Sequence, residues 1–246
     1  MKLAGSNRQL AAALILAVGL ILAGWFVGNG FYKSRLGNRF VTVKGVAEKG
    51  VEADLALWPL RFTAASNDLG KAQGQIDQNI SKTLEFLESR GVDTSHAERQ
   101  GLRVNDALAD PYRNSPISSR FSVTETLMVR SNDPVTILEA SQQIGELVNA
   151  GVVVSSGQEY QGGGPTFLFT KLNDLKPEMI AEATARAREA AEQFASDSGS
   201  DLQGIRQANQ GVFVILPRDQ APGIMEYSQL NKTVRVVSTI QYYLDK

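Results

Sequence analysis

The chain has 246 residues, 43% of them hydrophobic, and carries a formal charge of −1 at pH 7. It contains no cysteine, which excludes disulfides, thiol catalysis and thiolate metal sites, and its one histidine excludes a metal centre built from several histidines. The nearly balanced charge provides no basic surface for nucleic acid. We therefore expect no cofactor, no metal and no nucleic-acid partner.

An uncharged stretch of 24 residues, 9–32, lies between Arg8 and Lys33. A helix of this length, at about 1.5 Å rise per residue, exceeds the ~30 Å hydrocarbon core of a bilayer. The stretch therefore predicts a transmembrane anchor. The alternative is a cleavable signal peptide, although the apolar core is longer than usual and the best cleavage site, at 28–30, fits poorly. Aromatic residues, which favour the headgroup zone, gather at the C-terminal end of the stretch: Trp25, Phe26, Phe31 and Tyr32.

The anchor divides the chain into a short N-terminus, residues 1–8, a linker, residues 33–39, and a folded region, residues 40–246. Positive charges lie on both sides of the anchor, so the charge bias does not decide its orientation. Long domains translocate largely regardless of such charges, and an N-terminal apolar segment is the usual export signal. We therefore expect residues 1–8 in the cytoplasm and the folded region outside it.

The folded region opens with two predicted strands. Alternating apolar and polar residues predict strands over 40–47 and 51–65, with a turn between them at 48–50. Pro59 interrupts the second pattern and indicates a sheet edge or a bulge. Polar capping residues then begin an amphipathic helix, which ends at Gly91.

The rest of the chain repeats this succession of two strands and one helix. A second helix begins near Pro134 and ends at Gly151. A third ends at Gly199. Strand pairs with short connections favour antiparallel hairpins, so we predict an α+β fold in which antiparallel strand pairs alternate with three helices packed on the sheets. The remaining strands are predicted over 98–107, 119–130, 152–155, 166–172, 211–216 and 232–244.

The third helix carries a stripe of mostly small residues at three- and four-residue steps. We expect this stripe to face a sheet, because small side chains let the helix backbone approach the strands closely. The stripe consists of Met179, Ala183, Ala187, Ala190 and Phe194.

Three stretches together resemble one protein family. Residues 41–62 (VTVKGVAEKGVEADLALWPLRF) contain a strand of the form V-x-V-x-G-x-A. Residues 183–208 (ATARAREAAEQFASDSGSDLQGIRQA) contain an alanine-rich helix that ends at a glycine before an L-x-G-I turn, and residues 232–244 (KTVRVVSTIQYYL) read as a closing strand. In this order and spacing they are similar to the SIMPL-domain proteins, named for a signalling molecule that associates with mouse pelle-like kinase. The similarity covers about residues 40–245.

The resemblance implies an α+β fold, residence in the bacterial envelope and, in some relatives, large ring-like homo-oligomers. It also implies a loosely defined role in envelope or oxidative-stress tolerance, and it brings no established catalytic residues. Together with the anchor, it indicates a single-pass protein of the bacterial inner membrane whose folded region lies in the periplasm.

Two loops are candidates for protein–protein contacts, because clustered apolar residues on a surface often mark a docking patch. The first loop, 110–116, presents Tyr112. The second loop, 217–231, presents Ile224, Met225 and Tyr227. Folding back of this second loop onto its own domain is the alternative interpretation.

The leading hypothesis is a non-enzymatic, membrane-tethered envelope protein that acts by self-association into a homo-oligomer or by binding an envelope partner. The alternative is an extracytoplasmic hydrolase that uses the carboxylates Asp106, Asp110 and Glu125 for acid–base chemistry. His96 lies near acidic residues and is a further candidate base, although a surface histidine in a turn is the plainer interpretation. An enzyme needs such groups aimed at one point, so their convergence distinguishes the two hypotheses.

Overall fold

The protein is described here by a computed structural model. The residues that it describes are 4–36, 39–109, 118–156 and 164–245. The described elements, in chain order, are α1 (Ala4–Leu36), β1 (Phe40–Glu52), β2 (Leu55–Ser66), α2 (Leu69–Ser89), β3 (Glu98–Asp106), β4 (Phe121–Ser131), α3 (Pro134–Gln142), α4 (Gly145–Asn149), β5 (Val154–Ser156), β6 (Thr166–Leu168), α5 (Leu172–Asp197), β7 (Asp201–Gln210), β8 (Val214–Pro217), a 3-10 helix (Glu226–Ser228) and β9 (Asn231–Asp245). The predicted α+β class with antiparallel sheets is confirmed.

Helix α1 contains the predicted apolar stretch. Its segment Ala13–Gly30 has a mean hydropathy of 1.9, and none of that segment is buried against the rest of the protein. Among the described residues it is the one helix long and apolar enough to cross a membrane. It continues to Leu36, so the first part of the predicted linker is helical. A single N-terminal helix of this kind is consistent with single-pass anchoring.

The chain folds into two compact units. The first consists of Met1–Ala47, Glu178–Val212 and Val236–Lys246. The second consists of Glu48–Pro177 and Phe213–Arg235. Over the described residues, one sheet has the strand order β1-β9-β7, with β8 also paired to β9, and the other has the order β3-β4-β2-β5, with β6 also paired to β2.

Helix α5 packs closely on the sheet of the first unit. A Cβ added at Gly45 of β1 would lie 1.8 Å from the Ala183 carbonyl oxygen and 2.5 Å from the Ala187 nitrogen. The predicted stripe was partly wrong, because Ala190 is exposed and Phe194 is 51% exposed. The buried face keeps a strict four-residue step instead and consists of Met179, Ala183, Ala187, Ala191 and Ala195.

Two strand predictions near the ends of the folded region were wrong. The turn at 48–50 does not exist, since β1 continues to Glu52 and the chain turns at Ala53, whose N–H donates to the Leu230 carbonyl. Strand β7 was predicted only as a turn. It lies at the end of its sheet with nearly every residue exposed and two irregularities in its pairing, so its sequence shows no apolar alternation.

The second unit holds a hydrophobic core between its sheet and helices α2 and α3. Asp68 and Asp133 cap these helices by accepting hydrogen bonds from the backbone N–H of Lys71 and Thr136. The second predicted helix is divided into α3 and α4, because the Gln143 N–H bonds to the Ala140 carbonyl and tightens the turn. The largest core side chains of this unit are Trp58, Leu60, Phe62, Ile76, Leu87, Leu127, Ile137 and Phe167.

Pro59 lies inside the sheet rather than at a simple edge. Strand β4 pairs with β2 along its whole length, whereas the other side of β2 pairs with β6 over Leu55–Leu57 and with β5 over Leu60–Phe62. Among the described residues, Pro59 thus falls in the gap between two short partner strands. A residue without an N–H is tolerated there because no ladder bond is lost on that side.

Candidate interaction surface

The loop between β8 and β9 is tied at its base. The Gln229 side chain accepts a hydrogen bond from the Asp219 N–H and donates one to the Asp219 carbonyl, each at 3.1 Å. Beyond this tie, Leu230 packs against the core of the second unit, and its carbonyl accepts the hydrogen bond from Ala53. The base of the loop therefore packs against its own unit.

A buried lysine fixes the middle of the same loop. The Lys232 side chain is fully buried, and its Nζ lies 2.5 Å from Glu226 Oε1 and 2.7 Å from the Glu226 carbonyl oxygen. A buried ammonium without such partners would be costly, so this pair holds the 3-10 helix Glu226–Ser228 in place. Sequence analysis missed Lys232. The available signal was its position two residues before Val234, on the buried face of β9.

The anchored loop leaves apolar side chains in solvent at its tip. Ile224 is 39% exposed and Met225 is 53% exposed, whereas Tyr227 is half-buried. An ordered loop that exposes neighbouring large apolar side chains has the character of a docking surface. We refer to Ile224 and Met225 together as the loop tip. Tyr112, the other predicted contact residue, lies outside the described residues.

The predicted carboxylates are engaged in separate ion pairs. Glu125, which is buried, accepts two hydrogen bonds from the Arg99 side chain, one from Nε at 2.9 Å and one from Nη2 at 2.7 Å. The same Nη2 also donates to Asp77 of α2 at 2.7 Å. These hydrogen bonds, first to Glu125 and then to Asp77, raise the pKa of Arg99. The network joins β3, β4 and α2, so Glu125 connects structural elements rather than facing an open site.

Asp106 belongs to a different pair. It accepts hydrogen bonds from Arg120, the shortest at 3.0 Å, and these bonds are the main reason that its pKa is lowered. Asp106 pairs with Phe121 of β4. Phe121 and Glu125 are four residues apart on β4, so their backbones are separated by about 13 Å. The structure does not bring Asp106 and Glu125 together, and Asp110 lies outside the described residues. Within the described ranges, no three histidine, aspartate or glutamate residues gather at metal-binding spacing.

His96 lies exposed in the loop that precedes β3, and its charge contributes to lowering the pKa of neighbouring Asp93, after the hydrogen bonds from Ser95. His96 lines a cavity to which neither Glu125 nor Asp106 contributes.

Comparison with known proteins identifies one family. The family model SIMPL, described as a protein of unknown function (DUF541), matches residues 41–239. The match begins just after α1 and takes in nearly the whole of the folded region. No curated protein matches the chain.

Proposed function

Since this chain belongs to the SIMPL family of proteins of unknown function, we propose that it is a single-pass protein of the bacterial inner membrane that acts by binding rather than by catalysis. Its folded region lies in the periplasm and either self-associates into a homo-oligomer or binds an envelope partner. Envelope or oxidative-stress tolerance is the physiological setting in which this binding operates.

The observation that carries this proposal is the loop tip. Ile224 and Met225 remain exposed although the loop around them is held by the Lys232–Glu226 pair and the Gln229–Asp219 hydrogen bonds. An ordered loop loses little conformational entropy when a partner covers it, which favours binding. The exposed apolar area then provides the driving force.

The membrane helix strengthens even a weak contact. Copies tethered through α1 diffuse in one plane, so their effective concentration exceeds that of the same domain free in solution. The non-catalytic part of the proposal is supported by the separate arginine pairs of Glu125 and Asp106, because acid–base catalysis needs such groups aimed at one point.

The test is site-specific photo-crosslinking of the full chain in living cells. A photo-reactive amino acid replaces Met225, and in a matched control it replaces Val148 of α4, which is 59% exposed in the same unit. Membranes are washed with carbonate before analysis, so that only anchored protein is scored. We expect a discrete adduct from position 225, at twice the chain mass if the partner is a second copy, and a weak or diffuse pattern from position 148.

An added Ile224→Asp substitution should remove most of the adduct formed from position 225, because a charge at the loop tip opposes burial. The proposal fails if position 225 gives no discrete adduct, if position 148 gives the same one, or if the chain leaves the membrane during the carbonate wash.

A further inference from the structure

A cavity of about 660 Å³ lies in the second unit, on the face of the sheet opposite the buried core. Its walls come from the start of β2, the end of β4, the start of β3, and the loops that precede β3 and α3. The volume is within the range of about 300–1,000 Å³ typical of small-molecule sites. The cavity is separate from the loop tip and from the Arg99–Glu125 network.

The floor of the cavity is apolar and is set by strand register. Leu57 of β2 lies opposite Arg130 of β4, and Met128 lies opposite Glu98 of β3, so all four side chains point to the same face of the sheet. Leu57 and Met128 are half-buried, whereas Arg130 and Glu98 are exposed. A ligand with a short apolar chain would cover the two apolar residues and meet a charge on either side.

The two charged residues of the floor are not paired with each other. Arg130 is the diagonal neighbour of Glu98, at about 7–8 Å between backbones, a distance that long side chains can bridge. Yet neither Arg130 nor Glu98 makes an ion pair or side-chain hydrogen bond with any residue in the described ranges. Both charges are therefore available to a ligand.

The other acidic residues of the cavity are hydrogen-bonded locally. Both carboxylate oxygens of Asp133 accept bonds from Thr136, and Asp93 accepts one from the Ser95 N–H. Three carboxylates and one guanidinium line the cavity, so its acidic side chains outnumber its arginine by two. A ligand with more positive than negative groups is thus favoured.

We propose that this cavity binds a small basic amino acid or a closely similar zwitterion, which carries one carboxylate and two amines. Its carboxylate pairs with the fork of Arg130, which suits bidentate contact with a carboxylate. Its amines pair with Glu98 and with the acidic rim at Asp93, and its methylene chain lies on Leu57 and Met128.

The binding assay uses the full chain in detergent micelles, with carbon-13 in the methionine methyl groups. The chain has four methionines, of which Met128 lines the cavity, Met179 is buried in the first unit and Met225 is at the loop tip. L-lysine is titrated as the probe, with cadaverine as the analogue without a carboxylate and hexanoate as the analogue without an amine. We expect L-lysine to shift the Met128 signal saturably and to leave Met179 unchanged, and both analogues to bind about tenfold or more weakly.

Two substitutions separate the proposed contacts. Arg130→Gln should weaken L-lysine binding without weakening cadaverine binding, whereas Glu98→Gln should weaken the binding of both. The matched control is Arg103→Gln, an exposed arginine on the same face of the sheet, opposite Thr124. The inference is overturned if L-lysine does not shift Met128, if cadaverine binds as tightly, or if Arg103→Gln is as damaging as Arg130→Gln.

Discussion

Replacement of Gly45 by alanine tests how closely α5 approaches β1. The added Cβ would stand 1.8 Å from the Ala183 carbonyl oxygen, whereas ordinary contacts begin near 3.4 Å, so helix and strand must separate by about 1.6 Å. The obstacle is backbone of α5, which has no rotamer that would relieve the clash. The separation also loosens the small core of the first unit, in which Ala187 packs near Val41 and Tyr242.

The expected cost is about 3 kcal/mol of unfolding free energy, at the upper end of the usual range for overpacking. For a chain of this size, about 1 kcal/mol corresponds to about 2–4 °C in Tm, so we expect a loss of about 6–12 °C. Gly50 provides the matched control, because it lies on the same strand and a Cβ there meets nothing within 4 Å. Gly50→Ala should be neutral or stabilising by about 0.5–1 kcal/mol, since glycine is unfavourable within a strand.

The assay is thermal unfolding of the full chain in detergent, followed by circular dichroism, together with hydrogen exchange of the α5 amides. Gly45→Ala should lower Tm and accelerate exchange along α5, whereas Gly50→Ala should do neither. Equal effects of the two substitutions would refute the close contact between α5 and β1.

Two further predictions concern charged groups. Glu125→Gln should lower the free energy of unfolding, measured in urea, by about 1–2 kcal/mol, because it removes the buried partner of Arg99. The control is Asp219→Asn, in an exposed pair with Arg218, which should leave the urea midpoint unchanged. Equal effects of the two substitutions would contradict the structural role of Glu125. The pKa of Asp133 is lowered by its hydrogen bonds to Thr136, so its contribution to stability is complete above the unfolded value of 3.8 and is lost as pH falls from 3.8 through the lowered pKa. Asp133→Asn should preserve the helix cap at pH 7 but reduce the loss of stability in acid. The measurement is urea unfolding at several pH values. An unchanged dependence of stability on pH would contradict the role assigned to Asp133.

The sequence by itself determined the features that depend on local physics. An uncharged apolar run predicts a helix that crosses a bilayer because every backbone polar group can be satisfied within it, whatever the rest of the chain does. Polar caps before α2 and α3 predict where those helices begin, since the capping bond spans only a few residues. The stretches that carry the family resemblance meet in the first unit, where Gly45 contacts the alanine-rich helix closely and that helix packs with Ile240 and Tyr242 of the closing strand.

Other features were decided only by tertiary structure. Strand β7 is exposed, and its strand conformation comes from pairing with β9. Its sequence therefore shows no alternation of apolar and polar residues that would predict a strand. The burial of Lys232 depends on Glu226, which reaches it from the folded loop. The role of Glu125 depends on Arg99, whose side chain reaches it from the neighbouring strand β3. In each case the partner comes from a separate element, and a charge pattern read along one segment does not say which opposite charge the fold will bring beside it.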